Sequence, residues 1–220
     1  MEEFTELIKK FKIDVKRFED EQKKLAKLVI EKDYMDFSEV RLVAGCDTST
    51  IGKEVIGSIV VLSEDFEVIE EKFSLKRATF PYIPSFLAYR ELPVLIDAFH
   101  KLENKPDVFF INGHGTLHPR GCGLASHFGI AVDAATIGIA KELLVGEVKD
   151  SKIFLNGKQK GYALITKEGS KPIYISVGNK IKLSSAVELT KKFIKQPHKL
   201  PEPLTLAHKY ANKIKEELVR

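Results

Sequence analysis

An α/β fold with a mixed central sheet flanked by helices is what this sequence predicts, on three observations. Residues 42–75 read as an antiparallel meander. Two short, continuously apolar segments further on, Pro106–Ile111 and Thr136–Ala140, have the character of strands buried on both faces, and a helical stretch separates them. Amphipathic helical patterns stand at both ends of the chain. A meander followed by strand–helix crossovers makes a mixed sheet with helices packed against it.

Taken in order, a short helix carries Phe4, Leu7, Ile8 and Phe11 on its apolar side. Residues 14–31 form a longer one, apolar at Val15, Phe18, Leu25, Leu28 and Val29, with Asp14 as its N-cap. Leu42–Thr48 is a buried strand that Asp47 closes. Ile56–Leu62 follows the Gly52-Lys53 turn, and Ser63-Glu64-Asp65 turns the chain into Phe66–Leu75. Pro81-Tyr82-Ile83-Pro84 is irregular, because each proline fixes φ and removes a backbone donor. A helix then runs to about Leu102 with Phe86, Leu87, Leu95, Ile96 and Phe99 inward and a kink or break at Pro93. After the strand ending at Ile111, five of the chain's 14 glycines (Gly113, Gly115, Gly121, Gly123 and Gly129) fall close together, which lets backbone approach a ligand. A helix over 124–134 leads to the strand Thr136–Ala140. A hairpin around Asn156-Gly157, a strand Lys171–Val177 and helices near 184–195 and 203–218 complete the series. With 220 residues and neither repeat nor linker, the expectation is one domain over 1–220.

Composition narrows the function. At 44% hydrophobic and 30% charged, the chain is of the globular class. Its longest apolar runs, such as Ile59-Val60-Val61-Leu62, fall far short of the roughly 20 residues a membrane helix needs. The opening MEEFTELIKK lacks the pattern of a signal peptide. Cys46 and Cys122 read as reduced thiols, which places the protein in the cytoplasm. The net charge of +4 is unevenly spread: residues 149–220 hold 16 Lys/Arg against 6 Asp/Glu, and the rest of the chain is net acidic. A basic C-terminal third suggests a polyanion partner, with ordinary solvated lysines as the alternative.

Asp47, Asn112 and Lys141 each stand at the end of a buried strand, and the carboxyl edge of a sheet is where α/β folds place their sites. Glu91, in an otherwise mostly apolar helix, adds a second carboxylate. Together the two acids could share a hard divalent cation through oxygen ligands, the usual tool of phosphodiester cleavage. Each residue also has a plainer reading: Asp47 as a turn former, Glu91 as a surface partner of Arg90, Tyr82 as a core tyrosine. His114 and His118 are four apart, but the intervening Gly-Thr-Leu and Pro119 disfavour a zinc pair.

The strings VAGCDTS, TFPYIPSFLAYRELP, INGHGTLHPRGCGLASHFGI, TIGIAK and PEPLTLAHKY, in this order over about residues 40–212, resemble the successive motifs of endonuclease V. The resemblance implies an RNase H-like fold and nicking of DNA one bond removed on the 3′ side of deoxyinosine, with Mg2+, or Mn2+ in its place. It implies that Asp47, Glu91 and the residue at position 112 hold the metal, that Lys141 lies near the scissile phosphate, and that His208 lies close to the metal. Pro81, Tyr82, Ile83 and Pro84 match the wedge that enters the duplex. Leu87, Gly113, His118, Gly121 and Gly123 match the enclosure of the extruded base. The implied partner is deoxyinosine-containing DNA, with inosine RNA left open; with such a partner the basic third, through Lys180, Lys182, Lys191 and Lys192, is expected to form one wall of the DNA track, and the protein is expected to be a monomer. One departure matters: the family pattern has Asp where this chain has Asn112, so weaker metal binding and impaired cleavage are expected with the DNA site kept. Ser85 is a smaller departure, where the family often has glycine.

Overall fold

The computed structural model describes residues 2–219. Two helices open the chain, α1 (Glu2–Phe11) and α2 (Val15–Ala26). Asp14 caps α2 by accepting from the Arg17 amide at 3.0 Å. The helix ends at Ala26, short of the expected 31, and the chain beyond it is drawn to the sheet, where the Ile30 amide donates to Asn179 Oδ1 at 3.0 Å.

The meander follows as β1 (Leu42–Ile51), β2 (Glu54–Ser63) and β3 (Val68–Arg77), antiparallel throughout. Helix α3 (Leu87–Phe99) leads to β4 (Val108–Asn112), and α4 (Leu124–Ala131) leads to β5 (Thr136–Ala140). β4 pairs parallel with β1, and β5 parallel with β4. Three short strands, β6 (Glu147–Lys149), β7 (Lys152–Leu155) and β8 (Lys158–Leu164), precede β9 (Ile173–Asn179), which lies antiparallel beside β5. Helices α5 (Leu183–Lys192) and α6 (Glu202–Val219) close the chain. The nine strands form one sheet in the order β3-β2-β1-β4-β5-β9-β8-β7-β6.

Alternation along the strands divides the core into two layers. Val43, Val108, Phe110, Ile137 and Ile175 face α5 and α6, packing with Leu189, Phe193 and Leu204. Ala44, Cys46, Phe109 and Ile111 face α3 and α4, packing with Leu92, Leu95 and Phe128. α6 crosses β1 at Gly45, where a Cβ would fall on the Pro203 carbonyl. That close approach brings the next turns of α6 over Asp47.

Two expectations are corrected here, and one strand is added. Asp47 does not close β1: only the parallel pairing with β4 stops at Cys46↔Ile111, while the antiparallel pairing with β2 continues to Ile51↔Glu54. Pro93 does not break α3, because it lies on the exposed side while Leu92, Val94, Leu95 and Ala98 hold the helix to the sheet. The strand β6 went unforeseen because all three of its residues are exposed and carry no apolar pattern. Among the described residues no helix is long and apolar enough to cross a membrane.

Candidate active site

The carboxyl ends of β4 and β5 share an edge with the middle of β1, since Cys46 is level with Ile111 and Asn112 with Ile139. Asp47 lies one residue beyond the parallel pairing and is only 4% exposed. Its Oδ1 accepts from the Thr48 amide at 2.9 Å and from Asn112 Nδ2 at 2.6 Å. Its Oδ2 accepts from His208 Nδ1 at 2.7 Å. The other ring nitrogen of His208, Nε2, accepts from Asn212 Nδ2 at 3.1 Å, so α6 fixes both the ring and its tautomer.

Glu91 reaches the same edge from the opposite face of the sheet, on α3. Burial pushes its carboxyl up to about 7, the neighbouring Asp47 charge adds to the rise, and a hydrogen bond from Thr48 opposes it. Two carboxylates side by side, one of them costly to ionise, form with the Asn112 amide oxygen a donor set that fits a hard divalent cation. Among the described residues no three His, Cys, Asp or Glu side chains converge on one metal position. Asn112, a neutral residue, stands beside Asp47 at this edge. Lys141 follows the last residue of β5 and is exposed at this edge, one strand beyond Asn112.

Beginning one residue on from Asn112, at Gly113, and about one turn before Glu91 on α3, at Leu87 and Ala88, is a cavity of about 180 Å³, the scale of a single heterocyclic base. Leu87, Ala88 and Ser85 line one side; Gly113, His114, His118, Gly123 and Leu124 line the other, with Tyr82, Pro84, Gln22 and Leu144 around the mouth and floor. Of the residues expected to enclose a base, Gly121 lies outside this lining. It instead takes φ +73° to turn the chain, its amide donating to the His118 carbonyl at 2.9 Å. His118 is 3% exposed, and burial lowers its pKa to about 4. The neutral ring donates from Nε2 to the Ser85 carbonyl at 2.9 Å and accepts at Nδ1 from the Arg120 amide at 3.2 Å. His114 donates from Nε2 to the Glu142 carbonyl at 3.0 Å, which ties the loop after Lys141 to the cavity wall.

The Pro81–Pro84 segment borders the cavity. Tyr82 is 64% exposed, so the plainer reading of a core tyrosine is set aside. Ile83 is buried with Phe80 and Phe86 against Val15, Phe18 and Tyr89, and Arg90 Nη1 donates to the Phe80 carbonyl at 2.9 Å. The segment is therefore an exposed aromatic on an anchored base.

Residues outside the expected set join the site as well: Gln22, His114, Arg120 and Leu144. Gln22 carried a usable signal, since it falls on the Val15–Phe18–Leu25 stripe of α2, where an apolar residue is expected. Leu144, on an irregular loop, carried none.

The basic C-terminal segment does not line this edge as a whole. Leu42, Val43, Val108, Thr136 and Asn179 mark the opposite edge by register. Lys180, Lys182 and Lys192 gather on that side, paired with Asp133 at 2.7 Å, Asp33 at 2.9 Å and Glu64 at 3.6 Å. The positive third of the sequence is thus partly neutralised by acids from earlier in the chain.

With this geometry in place, comparison with known proteins is informative. The model of the endonuclease V family matches residues 23–209. Endonuclease V of Thermosipho melanesiensis is 42% identical over 187 residues, covering 81% of this chain and 82% of the relative. Endonuclease V of Dictyoglomus turgidum is 38% identical over 202 residues, covering 88% and 87%. Among solved structures, endonuclease V from Bacillus subtilis superposes with a TM-score of 0.86 at 32% identity, covering 94% of this chain and 95% of that one. A variant of Ciona intestinalis endonuclease V in complex with a 23mer DNA containing an inosine followed by a ribo-adenosine superposes with a TM-score of 0.84 at 26% identity, covering 93% and 98%.

Proposed function

The chain belongs to the endonuclease V family of metal-dependent DNA repair nucleases, on an RNase H-like fold, and from that premise we propose that it recognises deoxyinosine and nicks the same strand one bond removed on the 3′ side, with hydrolysis weakened by Asn112. The observation that carries this reading is adjacency: a base-sized cavity, an exposed aromatic at its mouth and a carboxylate pair lie along one edge of the sheet.

A duplex hides its bases, so an enzyme that reads one lesion extrudes it at a cost of a few kcal/mol. Tyr82 is the side chain that enters the stack in this reading. Its backbone is held by buried Ile83 and by the Arg90–Phe80 hydrogen bond, so little freedom is lost on insertion. The extruded base enters the cavity between Leu87 and the Gly113–Gly123 wall. Asp47 and Glu91, with the Asn112 oxygen, are the residues that would hold magnesium, or manganese in its place. The chemistry such an ion would supply there is stabilisation of charge on the phosphate oxygens. His208 keeps Asp47 oriented through Nδ1. Lys141 offsets charge on the phosphate.

Asn112 weakens this arrangement in two ways. It contributes a neutral oxygen where an acid would be anionic, and its amide occupies a lone pair of Asp47 Oδ1 that would otherwise be open to a cation. Asn112→Asp is expected to raise nicking of an inosine duplex in magnesium by at least about tenfold, since changes merely behind the ligands of a metal site alter activity by about 10- to 100-fold. A folded, metal-loaded Asn112→Asp protein that leaves inosine duplex intact would overturn the cleavage reading. The same hydrogen bond favours a second reading, inosine binding without cleavage, in DNA or in RNA. That reading expects tight, magnesium-independent preference for inosine and no gain from Asn112→Asp.

A further inference from the structure

Gln22 lies one residue ahead of the segment that matches the family and is 1% exposed. It comes from α2, which contributes no residue to the sheet edge. All its hydrogen-bonding groups are engaged. Nε2 donates to the Ser85 carbonyl at 3.0 Å and to the Cys122 carbonyl at 3.3 Å, and Oε1 accepts from Arg120 Nε at 2.6 Å. Ser85 belongs to the wall that carries Leu87, and Cys122 to the glycine-rich wall facing it. One buried amide therefore ties together the two sides of the cavity it lines.

Arg120 reinforces the tie. Its Nη2 donates to the Ser85 carbonyl at 2.9 Å and to Ser85 Oγ at 2.7 Å, its guanidinium lies 4.4 Å from the centre of the Phe86 ring, and Glu19 of α2 holds Nη1 at 3.3 Å. The Ser85 carbonyl thus accepts from Gln22, Arg120 and His118. Ser85 sits at φ +65°, a conformation a non-glycine residue keeps only where its surroundings over-determine it.

We propose that Gln22, with Arg120, is a positioning residue for base selectivity, setting the distance between the wedge-bearing wall and the glycine-rich wall so that the cavity admits one base shape. The inference rests on the base-cavity reading above. It makes α2 part of the recognition apparatus rather than an outer cover. Both amide hydrogens of Gln22 are committed to the two walls and its Oε1 is held by Arg120, so its effect is on the width of the cavity. Affinity for undamaged duplex comes mainly from phosphate contacts and does not pass through this tie.

The test is fluorescence anisotropy with two labelled duplexes that differ at one position, deoxyinosine against deoxyadenosine, in magnesium buffer with substrate integrity checked on a denaturing gel. Gln22→Met fills the same space without hydrogen bonds. It is expected to lower the inosine-to-adenosine affinity ratio at least about tenfold while affinity for the adenosine duplex stays within about twofold. Arg120→Met removes the same tie from the partner side and should lower the ratio in the same direction, so the test stands even if Gln22→Met does not fold. An unchanged ratio in the folded variants would overturn the positioning role. A ratio near one in the unaltered protein would instead overturn the base-cavity reading on which it depends.

Discussion

At the scale of single residues, the chemistry turns on who donates to whom. Asn112 donates to Asp47 at 2.6 Å, so that carboxylate oxygen is already engaged by a neutral neighbour. An aspartate at position 112 would put two carboxylates in contact and make a cation the natural remedy. A second residue effect lies in a buried histidine, away from Asp47 and Glu91. His127 on α4 meets Tyr89 edge-on at 5.6 Å, and burial lowers its pKa to about 4. Its folded pKa lies below the unfolded one, so its contribution to stability is present above about 6.5 and is lost as pH falls toward 4. His127→Leu should remove a loss on the order of 1–3 kcal/mol across that window and change little at pH 8. Denaturant melts at pH 8, 6 and 4.5 check this. His118, lowered to a similar value by burial, leaves a remaining acid sensitivity in the variant.

At the scale of elements, the Pro81–Pro84 segment works because its parts are divided between core and solvent. Pro81 and Ile83 are buried, and Tyr82 and Pro84 are exposed. Tyr82→Ala should weaken binding to inosine-containing duplex on the order of tenfold, in line with base–aromatic stacking of about 1–3 kcal/mol, and leave thermal stability near that of the parent. Equal affinity in the variant would remove the wedge role. The proline spacing made the segment's irregularity legible, whereas which residue faces outward depended on the aromatic cluster formed with α2. α3 teaches the converse. Its apolar side was legible from Leu95, Ile96 and Phe99, but its passage through Pro93 was not, because sheet contacts on the far side outweigh a lost hydrogen bond.

At the scale of the whole molecule, charge has to be counted in three dimensions. The lysines at 180, 182 and 192 belong to the basic third of the sequence but stand at the sheet edge opposite Asp47, beside Asp133, Asp33 and Glu64. Reversing all three charges should leave duplex affinity within about twofold and the slope of affinity against salt unchanged, since that slope counts phosphate contacts. A titration over a range of salt concentrations decides it. A flattened slope would mean that DNA wraps to the far edge.

By itself the sequence determined the elements whose burial is uniform. Thr136–Ala140 was legible to the residue because both faces of β5 are covered, which forces every position to be apolar or small. The motifs likewise singled out Asp47, Glu91, Asn112 and His208 as candidates from the sequence alone. Tertiary structure alone decided how these groups meet. Asp47 turned out to lie within a strand rather than at its end, held by His208 from a helix some 160 residues away, because α6 can settle on β1 only where Gly45 leaves room. It also decided that a glutamine on an apolar stripe joins two walls of a cavity. Periodicity records whether a side chain is buried, and only the folded chain shows what it is buried against.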